Sequence, residues 1–167
     1  MSVHTHDVTT VAPASVPLAN LSMMSGSLRQ RLVNRIEKDE EMPRELAERI
    51  LDQALGYLKL ASIKPDGHYS PSPLVDIGWH TFILYTREYG KFCRDLTAGR
   101  FIHHEPTDED GVPNLSSGPI STMQAMQEYG IIVDEPLWAH MHAGDCSDCT
   151  GSDGDGDQGC RCGSCNY

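Results

Sequence analysis

Apolar residues recur at helical spacing through the middle of this chain, from Leu28 to Trp138, and lose that period at both ends. Ser27 and Gln30 have the spacing of a capping box, and Leu28, Leu32 and Ile36 then share one face, which predicts a first helix over 27–41. Pro43 stands where a first helical residue is expected. After it Leu46, Ile50, Leu51, Ala54, Leu55 and Leu58 form a broad stripe, with Arg44, Glu48, Arg49 and Asp52 expected on the outer face of a second helix over 43–61. A turn at Pro65, Asp66 and Gly67 leads to Ser72 and Pro73, a cap and an opening residue. The third stripe includes Val75, Trp79, Phe82, Ile83, Tyr89, Phe92 and Leu96 and carries few charges before Arg87. It predicts one long helix, the most buried of the set, stopping at Gly99. A polar run then reaches Pro119, where Ile120, Met123, Met126 and Tyr129 predict a fourth helix over 119–129. Asp134, Glu135 and Pro136 could start a last turn through Leu137 and Trp138.

The expected fold is therefore all-α, a small bundle of about four helices over 25–142. Residues 1–24, with Pro13 and Pro17 and no period, are expected to be a disordered arm, and 143–167 a separate Cys-, Gly- and Asp-rich tail. A chain of 167 residues allows one domain. Thirteen Lys and Arg against 24 Asp and Glu leave a net charge of −11, which disfavours nucleic acid as a partner. No apolar run approaches the length of a membrane span, and the amino terminus lacks the basic opening and apolar run of a signal peptide. The expected location is the cytoplasm, without a membrane partner.

In a reducing compartment, clustered cysteines point to metal or redox chemistry before structural disulfides. Cys146 and Cys149 form C-x-x-C, and after ten residues Cys160, Cys162 and Cys165 form C-x-C-x-x-C. Such pairs can turn four thiolates onto one ion, so zinc is the first expectation and iron or an iron–sulfur cluster the alternative. His140 and His142 lie just upstream and could replace one thiolate. The bland alternative is five free thiols on an unstructured tail. Asp153, Asp155 and Asp157 copy a calcium loop poorly, because Gln158 and Ser164 occupy its glycine and glutamate positions, and they read better as a solvated acidic linker. Cys93, within the third helix, reads as a small buried apolar residue.

A second constellation lies inside the helical region. Asp76 and His80 are four apart, on one helix face, as a metal site or an acid–base pair requires, and His103 and His104 are candidate further ligands. Asp76 alone would also suit a first helical turn, and His80 a hydrogen-bonded site beside Trp79. Geometry opposes convergence along a straight helix: His80 to Thr97 rises about 26 Å, and six extended residues return only about 20 Å. The groups can meet only if the helix ends early or bends, Gly90 being the candidate position, or if long side chains close the gap.

The segment Val75 to Pro106 resembles the domain of glycine-rich domain-containing proteins of plants and bacteria. The matching residues are Asp76, Trp79, His80 and Thr81, then Tyr89 and Cys93, then His103 and His104. The resemblance covers about 32 residues closely and 27–138 loosely. It implies no particular activity, and the glycine-rich region and further domains of plant members have no counterpart here.

Three functions follow as expectations. The first is a small metal-binding, zinc-holding protein whose helical domain meets a protein partner. The second is a metal-dependent enzyme built on Asp76, His80 and one of His103 or His104, with Asp76 and His80 the candidate catalytic groups. The third is a precursor with a folded leader and a modifiable segment at Gly159 to Cys165. No Ser-His-Asp spacing, phosphate loop or dinucleotide fingerprint supports hydrolase, kinase or dehydrogenase chemistry.

Overall fold

The computed structural model describes residues 16–104 and 118–138. Among them the fold is all-helical, without strands: a 3-10 helix at Asn20–Met23, then α1 (Gly26–Asp39), α2 (Arg44–Ile63), α3 (Pro73–Ile83), α4 (Thr86–Thr97), α5 (Pro119–Glu128) and α6 (Glu135–Trp138). Six helices replace the expected four because the third stripe is divided between α3 and α4 and the final turn is itself helical. No helix of the described residues is long and apolar enough to cross a membrane.

The central helix is α2, not the third as expected. It packs against the 3-10 helix, α1, α3, α4 and α5, and every residue from 49 to 58 is buried. Arg49 and Asp52, expected on its outer face, are therefore interior groups, and each is matched by a partner rather than by water. Arg49 holds Asp134 in a two-bond fork, Nε to Oδ2 at 2.7 Å and a terminal nitrogen to Oδ1 at 2.9 Å. Asp52 accepts four bonds: from the backbone N–H groups of Asn20 and Leu21, from the Asn20 amide and from the Gln53 amide. Gln53 in turn accepts from the Asp134 backbone N–H and the Trp138 indole, and donates to the Ile132 carbonyl. This buried polar row ties the first and last described segments to α2, and among the described residues no buried side-chain N or O lacks a partner.

Two local expectations are corrected by this packing. The stretch before Met24, assigned to a disordered arm, includes the docked 3-10 helix, with Leu21 in the core and Asn20 on Asp52. The cap of α1 is Ser25 rather than Ser27: its hydroxyl accepts from the Leu28 N–H at 3.4 Å, and Gly26 is already helical.

α3 crosses α2 closely at Gly78. A Cβ there would lie 2.9 Å from Ala54 Cβ and 3.0 Å from the Ile50 carbonyl oxygen, so only glycine lets the helices approach this far. The start of α3 is fixed too: Ser72 accepts from the Val75 N–H and donates to the Leu137 carbonyl at 2.6 Å, with Pro73 as first helical residue.

Burial pushes the Asp52 carboxyl above its ordinary value, outweighing the bonds from Asn20, Leu21 and Gln53 that pull it down. Its contribution to stability is then fully present below the unfolded value of about 4 and is lost as pH rises through the folded value. Asp52→Asn presents an amide to two donors whichever way it turns, at a cost of about 1–3 kcal/mol, so Tm should fall by roughly 5–15 °C. The Tm gap between the native chain and Asp52→Asn should be wider at pH 4 than at pH 7 in thermal melts. A gap that narrows toward acid would contradict this assignment.

Candidate metal centre

The break between α3 and α4 decides what the site can be. α3 ends at Ile83, the Tyr85 N–H turns back to the Phe82 carbonyl at 3.0 Å, and α4 restarts when the Tyr89 N–H reaches the Tyr85 carbonyl at 2.8 Å. The chain thus turns at Leu84 and Tyr85, and Gly90, the position expected for a bend, lies inside α4. Phe82 and Tyr89, about 10.5 Å apart along a straight helix, meet edge to face with ring centres 5.2 Å apart. At the other end of α4, Ala98 takes the left-handed conformation, with φ 55°, and Gly99 follows at φ 111°. The Thr97 hydroxyl lies 2.8 Å from the Cys93 carbonyl and 2.7 Å from that of Arg100, and the chain returns toward α3 through residues 101–104.

Tyr89 anchors that return. Its buried hydroxyl accepts from the Trp79 indole at 2.9 Å and donates to the Ile102 carbonyl at 2.6 Å. Burial pushes this phenol upward, and Cys93, buried beside it, adds to the effect. With Ile102 held, His104 lies against Trp79, ring centres 4.4 Å apart, and against His80 at 4.3 Å.

One carboxylate sits between two imidazoles. Asp76 Oδ2 is 3.0 Å from His80 Nδ1, and Asp76 Oδ1 is 3.1 Å from His104 Nε2. One ligand-capable atom from each of the three residues lies within 4.8 Å of the other two. Zinc–nitrogen bonds of about 2.0–2.1 Å in tetrahedral geometry place neighbouring donors about 3.4 Å apart, so the cluster has the dimensions to close on one ion with small side-chain adjustments. The three side chains are unequally exposed, 58% for His80, 28% for Asp76 and 18% for His104, so the cluster is anchored on one side and open on the other. It opens on a cleft of about 640 Å³. Tyr57 backs the cluster through Trp79, with ring centres 5.0 Å apart. Its hydroxyl donates to the Tyr69 carbonyl, and burial first, then the Asp76 charge, pushes its phenol upward.

Of the two adjacent histidines only His104 reaches Asp76. His103 also lines the cleft, but its ring packs on Phe101 at 4.8 Å, as expected for neighbours in extended chain that point opposite ways. The pairing of Asp76 and His80 with His103 is corrected accordingly. Sequence reasoning missed Tyr57, Lys64, His68 and Arg100 as cleft residues; the Pro65–Gly67 turn between two of them carried the only hint that the chain folds around an opening. Cys146, Cys149, Cys160, Cys162 and Cys165, with His140, His142 and the Asp153–Asp157 run, lie outside the described residues.

No curated protein and no solved structure matches the chain significantly. A family model described as UCP032817-like matches residues 21–116, a span that includes Asp76, His80, Tyr89 and His104. The match replaces the glycine-rich domain resemblance drawn from residues 75–106, for which the comparison provides no support. By that match over more than half its length, the chain belongs to the UCP032817-like family.

Proposed function

We propose that this is a metal-binding protein whose helical domain holds a divalent ion of the zinc type between Asp76, His80 and His104, in the manner of a metal-dependent enzyme. The observation that carries the reading is the meeting of the three donors at the mouth of a cleft. Structural zinc sites are closed by four protein ligands, whereas catalytic ones keep a position for water or substrate, and three donors facing an opening fit the second kind. Two imidazoles and one carboxylate also suit ferrous iron, which makes iron the second metal to test. Such an ion would supply Lewis acidity and an activated water; this chain's own residues orient the donors. Tyr89 and Trp79 hold the His104 segment, and the N-terminal pinning of α3 by Ser72 fixes Asp76.

The cysteine tail is proposed as a second, separate metal site, supported by its C-x-x-C and C-x-C-x-x-C spacing. Elemental mass spectrometry distinguishes the two. After equilibration with zinc under reducing conditions, a chain ending at Ala143 should keep one equivalent of metal, and His80→Ala or His104→Ala in that chain should lose it. The full chain should hold additional metal. A truncated chain that binds none would refute the helical-domain centre.

Tyr89→Phe should leave that stoichiometry intact at saturating zinc but weaken binding about 10–100-fold in a competition titration, since it removes the bond that places His104. An unchanged affinity would show that Tyr89 does not position the site.

A further inference from the structure

The walls of the cleft carry an unusual balance for so acidic a chain. Net charge is −11, yet among the described residues that line the opening Asp76 is the one carboxylate, and both its oxygens already face histidines. Against it stand Lys64, at the end of α2, and Arg100, after α4. Neither has a carboxylate within salt-bridge distance among the described residues. Both are placed by other contacts. Arg100 donates one N–H to the Ser62 carbonyl at 3.1 Å, leaving the rest of its fork, and the Lys64 ammonium lies 5.5 Å from the centre of the Tyr129 ring, engaged by that side chain first and by the more distant Glu128 charge as well. His68 and His103 add ring nitrogens to the same walls. Among the described residues the walls thus set two cations and two further imidazoles against one carboxylate, a complement to an anion with several oxygens.

We infer that the cleft binds an oxyanion group, a phosphate or a carboxylate on a small substrate, with Arg100 and Lys64 as its recognition residues beside the Asp76–His80–His104 centre. The inference deepens the metal reading and rests on it for the position of the reacting end. The anion's attraction to Arg100 and Lys64 is separate from any bond to the ion. A planar guanidinium suits two oxygens of one group, and the ammonium adds a point charge.

Calorimetric titration of the zinc-loaded full chain with inorganic phosphate, and separately with succinate, tests the inference against Lys64→Gln/Arg100→Gln, two exposed positions outside the core. The native chain should bind one or both anions, the preferred one naming the group. The double variant should bind at least 10-fold more weakly with its zinc content unchanged. Arg100→Lys should recover part of the loss by charge alone. Equal binding by the native and double-variant chains, or no binding of either anion, would overturn the inference. Should the native chain take up no zinc, the metal reading fails by itself, and the same titrations on metal-free protein decide the oxyanion site: an Arg100- and Lys64-dependent signal supports it, and no signal overturns it.

Discussion

The Tyr89 hydroxyl is the joint on which the candidate centre turns. It accepts from Trp79, which belongs to the helix bearing Asp76 and His80, and donates to Ile102, two residues before His104. A phenol can do both at once, so one buried group couples two segments that are far apart in sequence. Removing it would strand an indole N–H and a carbonyl in an interior where unpaired polar groups cost about 1–3 kcal/mol each. Phe82 and Phe101 pack edge to face on the Tyr89 ring, which is buried.

The joint works because α3 is itself immobilised. Gly78 lets α3 sit against Ala54 and Ile50 of α2, and Ser72 ties its first turn to Leu137. α2 is held in place by a row of buried polar groups: Arg49 on Asp134, Asp52 on Asn20 and Leu21, and Gln53 on Asp134 and Trp138. Rigid supports of this kind favour a site on helices, where side chains keep their geometry when a ligand arrives.

The helical fold was legible from apolar periodicity, and its errors have physical sources. Arg49 and Asp52 read as surface residues because a pattern of hydrophobicity cannot register that a charge is satisfied inside by a partner more than 30 positions away. The α3–α4 break was hidden because Phe82 and Tyr89 are seven residues apart, which keeps a stripe in phase across a turn that contains neither glycine nor proline. The α1 cap was read at Ser27 because Gln30 completes the capping-box spacing there, whereas Ser25, with Leu28 at the same spacing, caps through its hydroxyl alone. Asp76 and His80 could be paired from their spacing, whereas the choice of His104 over His103 depends on which side of an extended segment faces α3, a fact fixed by Tyr89 and Ile102. Lys64 and Arg100 gave no local signal, since their relation exists only once α4 has turned back beside α2.

The central claim is that the α3–α4 break and the Tyr89 joint bring His80 and His104 to one ion through specific nitrogens. Histidine-ring nitrogen NMR on the full chain, titrated with zinc under reducing conditions, tests it most directly. The account expects Nδ1 of His80 and Nε2 of His104, the atoms that face Asp76, to shift together to metal-bound positions while His103 does not follow. Zinc uptake that leaves both of those nitrogens unmoved would contradict it.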